Sequence, residues 1–574
     1  MRFGLFYEHQ LPRPWAEGAE ERLLAEALEQ IELADRLGFD YVWEVEHHFL
    51  EEYSHSSAPE VFLAAASQRT RRIRLGHGIV QLPPPFNHPA RVAERIATLD
   101  LISSGRVEFG AGEAGSQAEL GGFGVDRLQK RAQWEEALDA VTRMMVEEPF
   151  AGYQGRHLRM PPRNVVPKPK QKPHPPLWVA CSRRETILLA ARKGLGALSF
   201  SFVEPEEAKE WVDDYYRLIA SEECLPAGFA VNANVAVVVP LMCHRDEQTA
   251  IERGIDGAHF FGYALAHYYV FGQHEPGRTG LWEEFLQRRG EYGFARELVQ
   301  AGPAGSNEPL GVRLLQHGLG SLRGAIGTPA QIAGLVERYQ RAGVDQVIFV
   351  SQAGRNRHEH ICESLELLAR EVLPCFAEKA EAREREKAAR LAPAIERALG
   401  RRAPARASAG GYVISPQEEP SPAYGDAEPP RLRRWLRSRS DAQLERLLGF
   451  RPILWLVFRG LERRLDASRA AGFAGDVQYE LRGRGRTHRR ILRVGAGRVA
   501  VLPGQSPQPR LTFRATLATF ARLLAGELNP WAAAMEGKLE LEGDLQVLAD
   551  LHRMLEPPAA SGPPPPSSPG ISKT

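Results

Sequence analysis

The run Glu46-His47-His48 directly follows the apolar segment Asp40–Val45, and a histidine beside a carboxylate is equipment for moving protons. The same run could also hold a metal or serve as a pair of structural histidines. Adjacent side chains on an extended segment point to opposite sides, so His47 and His48 do not readily share one ion, and no metal is expected. One catalytic histidine is the favoured reading, with a structural role as the alternative. Polar residues recur where other apolar runs end: Glu8, His9 and Gln10 after Arg2–Tyr7, His77 to Gln81 around the close of Ile73–Val80, Cys181 and Ser182 after Leu177–Ala180, and Ser199 and Ser201 around Ala197–Phe200.

Other patterns carry weaker signals. Gly110-Ala-Gly-Glu-Ala-Gly115 matches G-x-G-x-x-G after a strand, but Ser116–Gly124 reads as glycine-broken loop rather than the helix a dinucleotide turn requires. It is expected to be a pocket wall. Ser182-Arg-Arg-Glu-Thr186 opens a helix where hydroxyls, backbone N–H groups and arginines converge, which suits a phosphate. Ser182 and Glu185 also fit a capping box, and both readings stand together. His358-Glu359-His360 has i, i+2 spacing at a helix start and reads as surface.

These residues need elements to hold them. Strand and helix patterns alternate with short loops from Arg2 to Leu373, in about eight units: strands Arg2–Tyr7, Asp40–Val45, Ile73–Val80, Arg106–Phe109, Leu177–Ala180, Ala197–Phe200, Val231–Val239 and Gln346–Val350 are each followed by helical periodicity. Eight units is the number that closes a (β/α)₈ TIM barrel, and an open doubly wound sheet is the alternative. In a barrel the residues just after each strand gather at one end. The irregular region near Phe271–Ala325, Gly-rich from Gly302 to Gly327, is expected to be a loop over one face.

At 574 residues the chain should contain more than one core. Beyond residue 376, residues 377–430 read as a charged, solvated helix and a disordered linker. Residues 431–557 read as a smaller α+β domain and 558–574 as a Pro-rich disordered tail. A formal net charge of +1 gives no global field toward nucleic acid, and the basic run Arg431–Arg437 reads as a solvated helix face. The five cysteines are scattered without a C-x-x-C pair, as in a reducing cytoplasm. No stretch approaches the roughly 18 apolar residues of a membrane span, and Met1–Tyr7 is too short for a signal core.

Trp43-Glu-Val-Glu-His-His-Phe49, Leu75-Gly-His-Gly-Ile-Val-Gln-Leu-Pro83, His88-Pro-Ala-Arg91, Gly105-Arg-Val-Glu-Phe-Gly110 and Trp178-Val-Ala-Cys-Ser182 together resemble the bacterial luciferase-like monooxygenases in order and spacing. The resemblance covers residues 1–376 and implies the barrel and a site for FMN, or in one branch the deazaflavin F420. It implies His47 as general base with Glu46 beside the flavin. Gly78 and Ile79 would form the bulge against the ring, where a non-proline cis peptide is typical. Arg131, Ser182 and Thr186 would hold the phosphate, with Ala180, Cys181 and Phe200 completing the cofactor set. Two departures stand out: Glu113 occupies the place of an arginine common near the phosphate, and Gly112 that of the reactive cysteine of true luciferases, so light emission is not implied. Phe473-Ala-Gly-Asp-Val477, Pro509–Phe513, Leu524–Pro530 and Met535–Asp544 resemble the sterol-carrier-protein-2 type fold. There the apolar residues Leu517, Phe520, Leu523 and Leu524 either enclose an acyl chain or fill a core.

The resemblance therefore implies a homodimeric flavin-dependent monooxygenase. It would use reduced FMN from a flavin reductase, and O₂, on a hydrophobic aldehyde, alkane or lipid-like substrate. An F420-dependent hydride-transfer enzyme and a lipid carrier with a degenerate barrel are the alternatives.

Overall fold

Alternation of large apolar side chains along each early strand fixes two faces, and the molecule uses both. In the computed structural model, which describes residues 1–199, 204–289, 323–407, 410, 412–414, 439–465, 473–495, 498–525, 528, 533–534, 536–544, 547 and 551, Phe3, Leu5 and Tyr7 of β1 (Arg2–Tyr7) face an outer core while Phe6 joins an inner one. The inner core also takes Trp43, Trp178, Leu198, Ala236, Val238 and Ile348, one strand after another. Trp43 and Trp178 meet edge to face with ring centroids 5.2 Å apart. A Cβ on Gly76 would lie 2.3 Å from the Trp43 ring, so the lumen accepts that indole only because residue 76 is glycine.

The remaining barrel strands are β2 (Tyr41–Glu44), β3 (Arg74–His77), β4 (Val107–Gly112), β5 (Leu177–Cys181), β6 (Gly196–Ser199), β7 (Val235–Cys243) and β8 (Gln346–Val350). Each pairs in parallel with the next, and β8 pairs with β1, closing an eight-stranded parallel barrel. After β3 the chain breaks at Gly78–Ile79 and resumes pairing with β4 at Val80–Gln81. The expected bulge is therefore present. All cis peptides among the described residues precede proline, so the Gly78–Ile79 bond is trans, unlike the one implied by the resemblance.

Helices α1 (Ala19–Leu37), α2 (Pro59–Arg69), α3 (Pro89–Ile102), α4 (Gln117–Gly122), α5 (Lys130–Val146), α6 (Arg184–Arg192), α7 (Pro205–Ile219), α8 (Glu247–Ala266), α9 (Leu281–Arg288), α10 (Pro329–Arg341) and α11 (His358–Glu371) follow. β7 starts and ends about four residues later than its expected span. Asn232 spends its side chain on the Leu177 carbonyl before the strand begins, and past Pro240 the strand exchanges β8 for Ala325–Gly327 as partner, so the missing proline N–H does not end it.

The charged helix expected beyond Pro374 forms as α12 (Pro374–Arg401), but it is amphipathic rather than fully solvated. Phe376, Leu391 and Ala398 join the outer core, and Lys387 bonds Asp345 at 2.7 Å. The first compact unit accordingly runs to Gly410. The second unit contains α13 (Asp441–Leu448), α14 (Arg451–Arg464), β9 (Gly475–Gly483), β10 (Arg486–Gly495), β11 (Arg498–Pro503), β12 (Leu511–Thr516), α15 (Leu517–Leu524) and β13 (Leu539–Gly543). Its sheet order is β11-β10-β9-β12-β13, with β9 and β12 parallel and the other pairs antiparallel. Leu517 and Phe520 are buried in its core, with Phe520 stacked 5.3 Å from Phe458. The basic run at 431–437, the loop at 302–322 and the tail lie outside the described residues. No described helix is long and apolar enough to cross a membrane.

Candidate active site

Glu46, His47 and His48 leave β2 at the C-terminal end of the barrel, where the chain turns toward Tyr53 and Ser56. Two partners that sequence adjacency did not supply fix His47. Its Nδ1 lies 3.0 Å from Oε1 of Glu119 on α4, and its Nε2 lies 3.7 Å from Oε2 of Glu8 at the end of β1. Glu119 is fully buried and its other oxygen accepts from the Ser116 hydroxyl at 2.6 Å. Gln81 Nε2 and the His48 backbone N–H also donate to Oε1 of Glu119, at 2.6 and 3.1 Å. Glu8 Oε1 accepts from the Tyr53 hydroxyl at 3.0 Å, whereas its buried Oε2 has no hydrogen-bond partner. A separation of 3.7 Å is too long for a hydrogen bond, so His47 Nε2 and Glu8 Oε2 face each other across a gap.

Electrostatics follow from that geometry. Burial opposes charge on His47, yet Glu8 and Glu119 outweigh it and raise its pKa to about 9. Burial pushes the Glu8 carboxyl up to about 7, against the opposing pull of His47 and the Tyr53 hydrogen bond. Burial works against Glu119 too, but the His47 charge and the His47, Ser116 and Gln81 hydrogen bonds hold it below its ordinary value. The arrangement favours a protonated imidazole between Glu119, held as a carboxylate, and Glu8, whose carboxyl is raised toward neutral pH.

Glu46 is paired with His48 instead of His47. It accepts from His48 Nε2 at 3.1 Å, the Gln81 N–H at 2.8 Å and Asn87 Nδ2 at 2.8 Å, which fixes the strand-end loop. His9 meets Glu44 at 2.8 Å with both side chains buried, and burial lowers His77 to about 4, leaving it neutral. Among the described residues no group of His, Cys, Asp and Glu could hold a metal.

The expected cofactor residues divide between two places. Ile79 packs on β4 so closely that a Cβ on Gly112 would sit 2.3 Å from its Cδ1, and Gly78 donates its N–H to the Glu44 carbonyl at 2.7 Å. Arg131 on α5 acts on the Cys181 thiol, which also bonds the Thr186 hydroxyl, so these three share one neighbourhood. Cys181 itself faces the outer core and burial raises its thiol to about 12, while Ala180 alternates to the lumen side. Ser182 is exposed and does not cap α6. Arg183 holds the N-cap position, and the Thr186 hydroxyl bonds its N–H and C=O at 3.3 and 2.6 Å. Phe200 lies outside the described residues. Glu113 pairs with Arg131 at 2.7 Å.

Glu119 and Ser116 are the residues that sequence reading missed. The segment taken for loop contains α4, N-capped by Ser116, and the signal was the spacing Ser116-x-x-Glu119. Glycines at 121, 122 and 124 masked it.

The site's chemistry suits a phosphorylated flavin. The break at Gly78–Ile79 offers an apolar bulge, the start of α6 offers a helix end beside Arg131, itself paired with Glu113, and the orphaned Glu8 Oε2 offers an acceptor beside His47.

A family model described as luciferase-like monooxygenase matches residues 1–346, and one for the SCP-2 sterol transfer family matches residues 458–556. Limonene 1,2-monooxygenase of Rhodococcus erythropolis is 40% identical over 137 residues, 24% of this chain and 35% of that protein. The oxygenase component of flavin-dependent trigonelline monooxygenase from Acinetobacter baylyi is 29% identical over 198 residues, 34% of this chain and 52% of that protein. Both matches span less than two thirds of the relative. The crystal structure of monooxygenase RslO1 from Streptomyces bottropensis superimposes with a TM-score of 0.50 at 26% identity, covering 66% of this chain and all of that one.

Proposed function

Because the chain belongs to the luciferase-like monooxygenase family and carries a stretch matching the SCP-2 sterol transfer family, we propose that it is a flavin-dependent monooxygenase acting on a hydrophobic substrate. The observation that carries the chemistry is His47 placed between the carboxyl groups of Glu119 and Glu8, which raise its pKa. Reduced FMN, bound against Ile79 with its phosphate toward Arg131 and Thr186, would supply two electrons to O₂, one oxygen atom going to substrate and the other to water.

The protein's part is to hold and deliver the proton. With Nδ1 committed to Glu119, the free Nε2–H of His47 points at the gap beside Glu8, where a group gaining negative charge is within reach of a donor. His47 then acts first as acid. Its conjugate imidazole regains a proton from Glu8, whose carboxyl near pKa 7 is matched to neutral pH. Tyr53 holds Glu8 in place, and Ser116 and Gln81 hold Glu119.

Reduced FMN arrives from a separate reductase in this reading, a partner class supported by the oxygenase component among the relatives. Support for an apolar ligand in the second unit is the SCP-2 match. Leu517 and Phe520 are buried in the core and the half-buried Leu523 and Leu524 pack against it, so the side chains by themselves favour neither ligand binding nor packing alone.

Anaerobic titration of the full chain with reduced FMN and reduced F420, followed by mixing with O₂, tests the assignment. Binding of FMN with O₂ uptake supports it. Binding of F420 alone without O₂ uptake replaces it with hydride transfer.

A further inference from the structure

Resting on the flavin reading, we infer that Glu113 is a built-in competitor with the cofactor phosphate for Arg131, one that weakens the hold on FMN without touching its ring. Glu113 Oε1 sits 2.7 Å from Arg131 Nη2, and its Oε2 is a buried oxygen with no hydrogen-bond partner. The guanidinium that would receive the phosphate is thus already neutralised. A dianionic phosphate reaching Arg131 must displace the Glu113 carboxylate from it.

The pair is positioned. Arg131 lies over the Trp134 ring with its Cζ 5.5 Å from the centroid. Lys130 Nζ donates to the Ala114 carbonyl at 2.5 Å, tying down the loop that carries Glu113. Arg127, Lys130 and Arg183 are further cations of this neighbourhood, but Arg131 is the one that Glu113 pairs with directly, and Arg184 is committed to Asp214.

The pair is also breakable. The side chains are 22% exposed for Glu113 and 38% for Arg131, and an ion pair this open contributes little stability. Phosphate and carboxylate therefore compete on comparable terms for one guanidinium.

The test compares FMN with riboflavin, which has the same ring and ribityl chain but no phosphate, by flavin fluorescence quenching on the full-length chain at low salt. Glu113→Gln should tighten FMN about tenfold and leave riboflavin unchanged, the size expected for one freed charge-assisted pair. Adding Arg131→Gln to that variant should erase the gain. If Glu113→Gln weakens FMN, or changes FMN and riboflavin alike, Glu113 is a ribityl contact or a structural residue and the inference is overturned while the flavin reading stands. If neither flavin binds, oxidised or reduced, the flavin reading falls and takes the inference with it.

Discussion

His47 Nδ1 and Glu119 Oε1 lie 3.0 Å apart, although 72 positions of chain separate them, and this contact adds to the pull of Glu8 in raising the His47 pKa to about 9. Glu119→Gln keeps the shape and removes the charge. The His47 pKa should then fall from about 9 toward its ordinary value, readable from its imidazole proton shifts, and turnover should drop about 100-fold, as for loss of one acid–base partner.

Ser116 supports that contact twice, capping α4 through the Glu119 N–H at 3.2 Å and donating to the Glu119 carboxylate at 2.6 Å. Ser116→Ala should cost about 1 kcal/mol in denaturant unfolding, the usual value for an N-cap, and slow turnover more than that loss of stability explains.

The pH dependence has a defined sign. A raised pKa on His47 stabilises the fold fully below the unfolded value of 6.5, and that contribution is lost as pH rises through about 9. The stability advantage of wild type over His47→Gln should therefore be greatest below pH 6.5 and shrink by an order of 1–3 kcal/mol by pH 9. Turnover should show limbs near 7 and 9 belonging to the Glu8–His47 pair jointly. In Glu8→Gln the lower limb should vanish and the upper one move down, since a carboxylate that raises His47 is gone.

The floor of the site depends on an absent side chain. Gly112→Ala places a methyl 2.3 Å from Ile79 Cδ1, so Ile79 must shift. The expected cost is about 1–3 kcal/mol in thermal unfolding, with weaker binding of FMN and riboflavin alike. Retention of full flavin affinity would contradict Ile79 as a ring contact.

Much of the barrel was legible because period-two apolar runs and short loops leave few other ways to bury both faces of a strand. His47 was legible as chemistry for the same reason, since it follows directly on β2. Its partners were not. Glu46, the adjacent carboxylate, turns to His48, and the effective ones come from the end of β1 and from α4. Glu119 was hidden because three nearby glycines read as loop, while the Ser116 cap and burial of Leu120 were enough to form a short helix. The helix after Pro374 misled in the opposite direction. Its charges suggested solvent, but Phe376, Ala380, Leu391, Ala394 and Ala398 form a sparse apolar stripe sufficient to pack.

In the proposed reaction His47 delivers protons during an oxygenation supported by reduced flavin. Supplying the full chain with reduced FMN, an aliphatic aldehyde and isotopically labelled O₂ tests it directly. The account predicts one labelled oxygen atom in the product for each reduced flavin consumed, with incorporation falling at least about 100-fold in His47→Gln while FMN still binds. Unlabelled product, or equal incorporation by the His47→Gln variant, would contradict it.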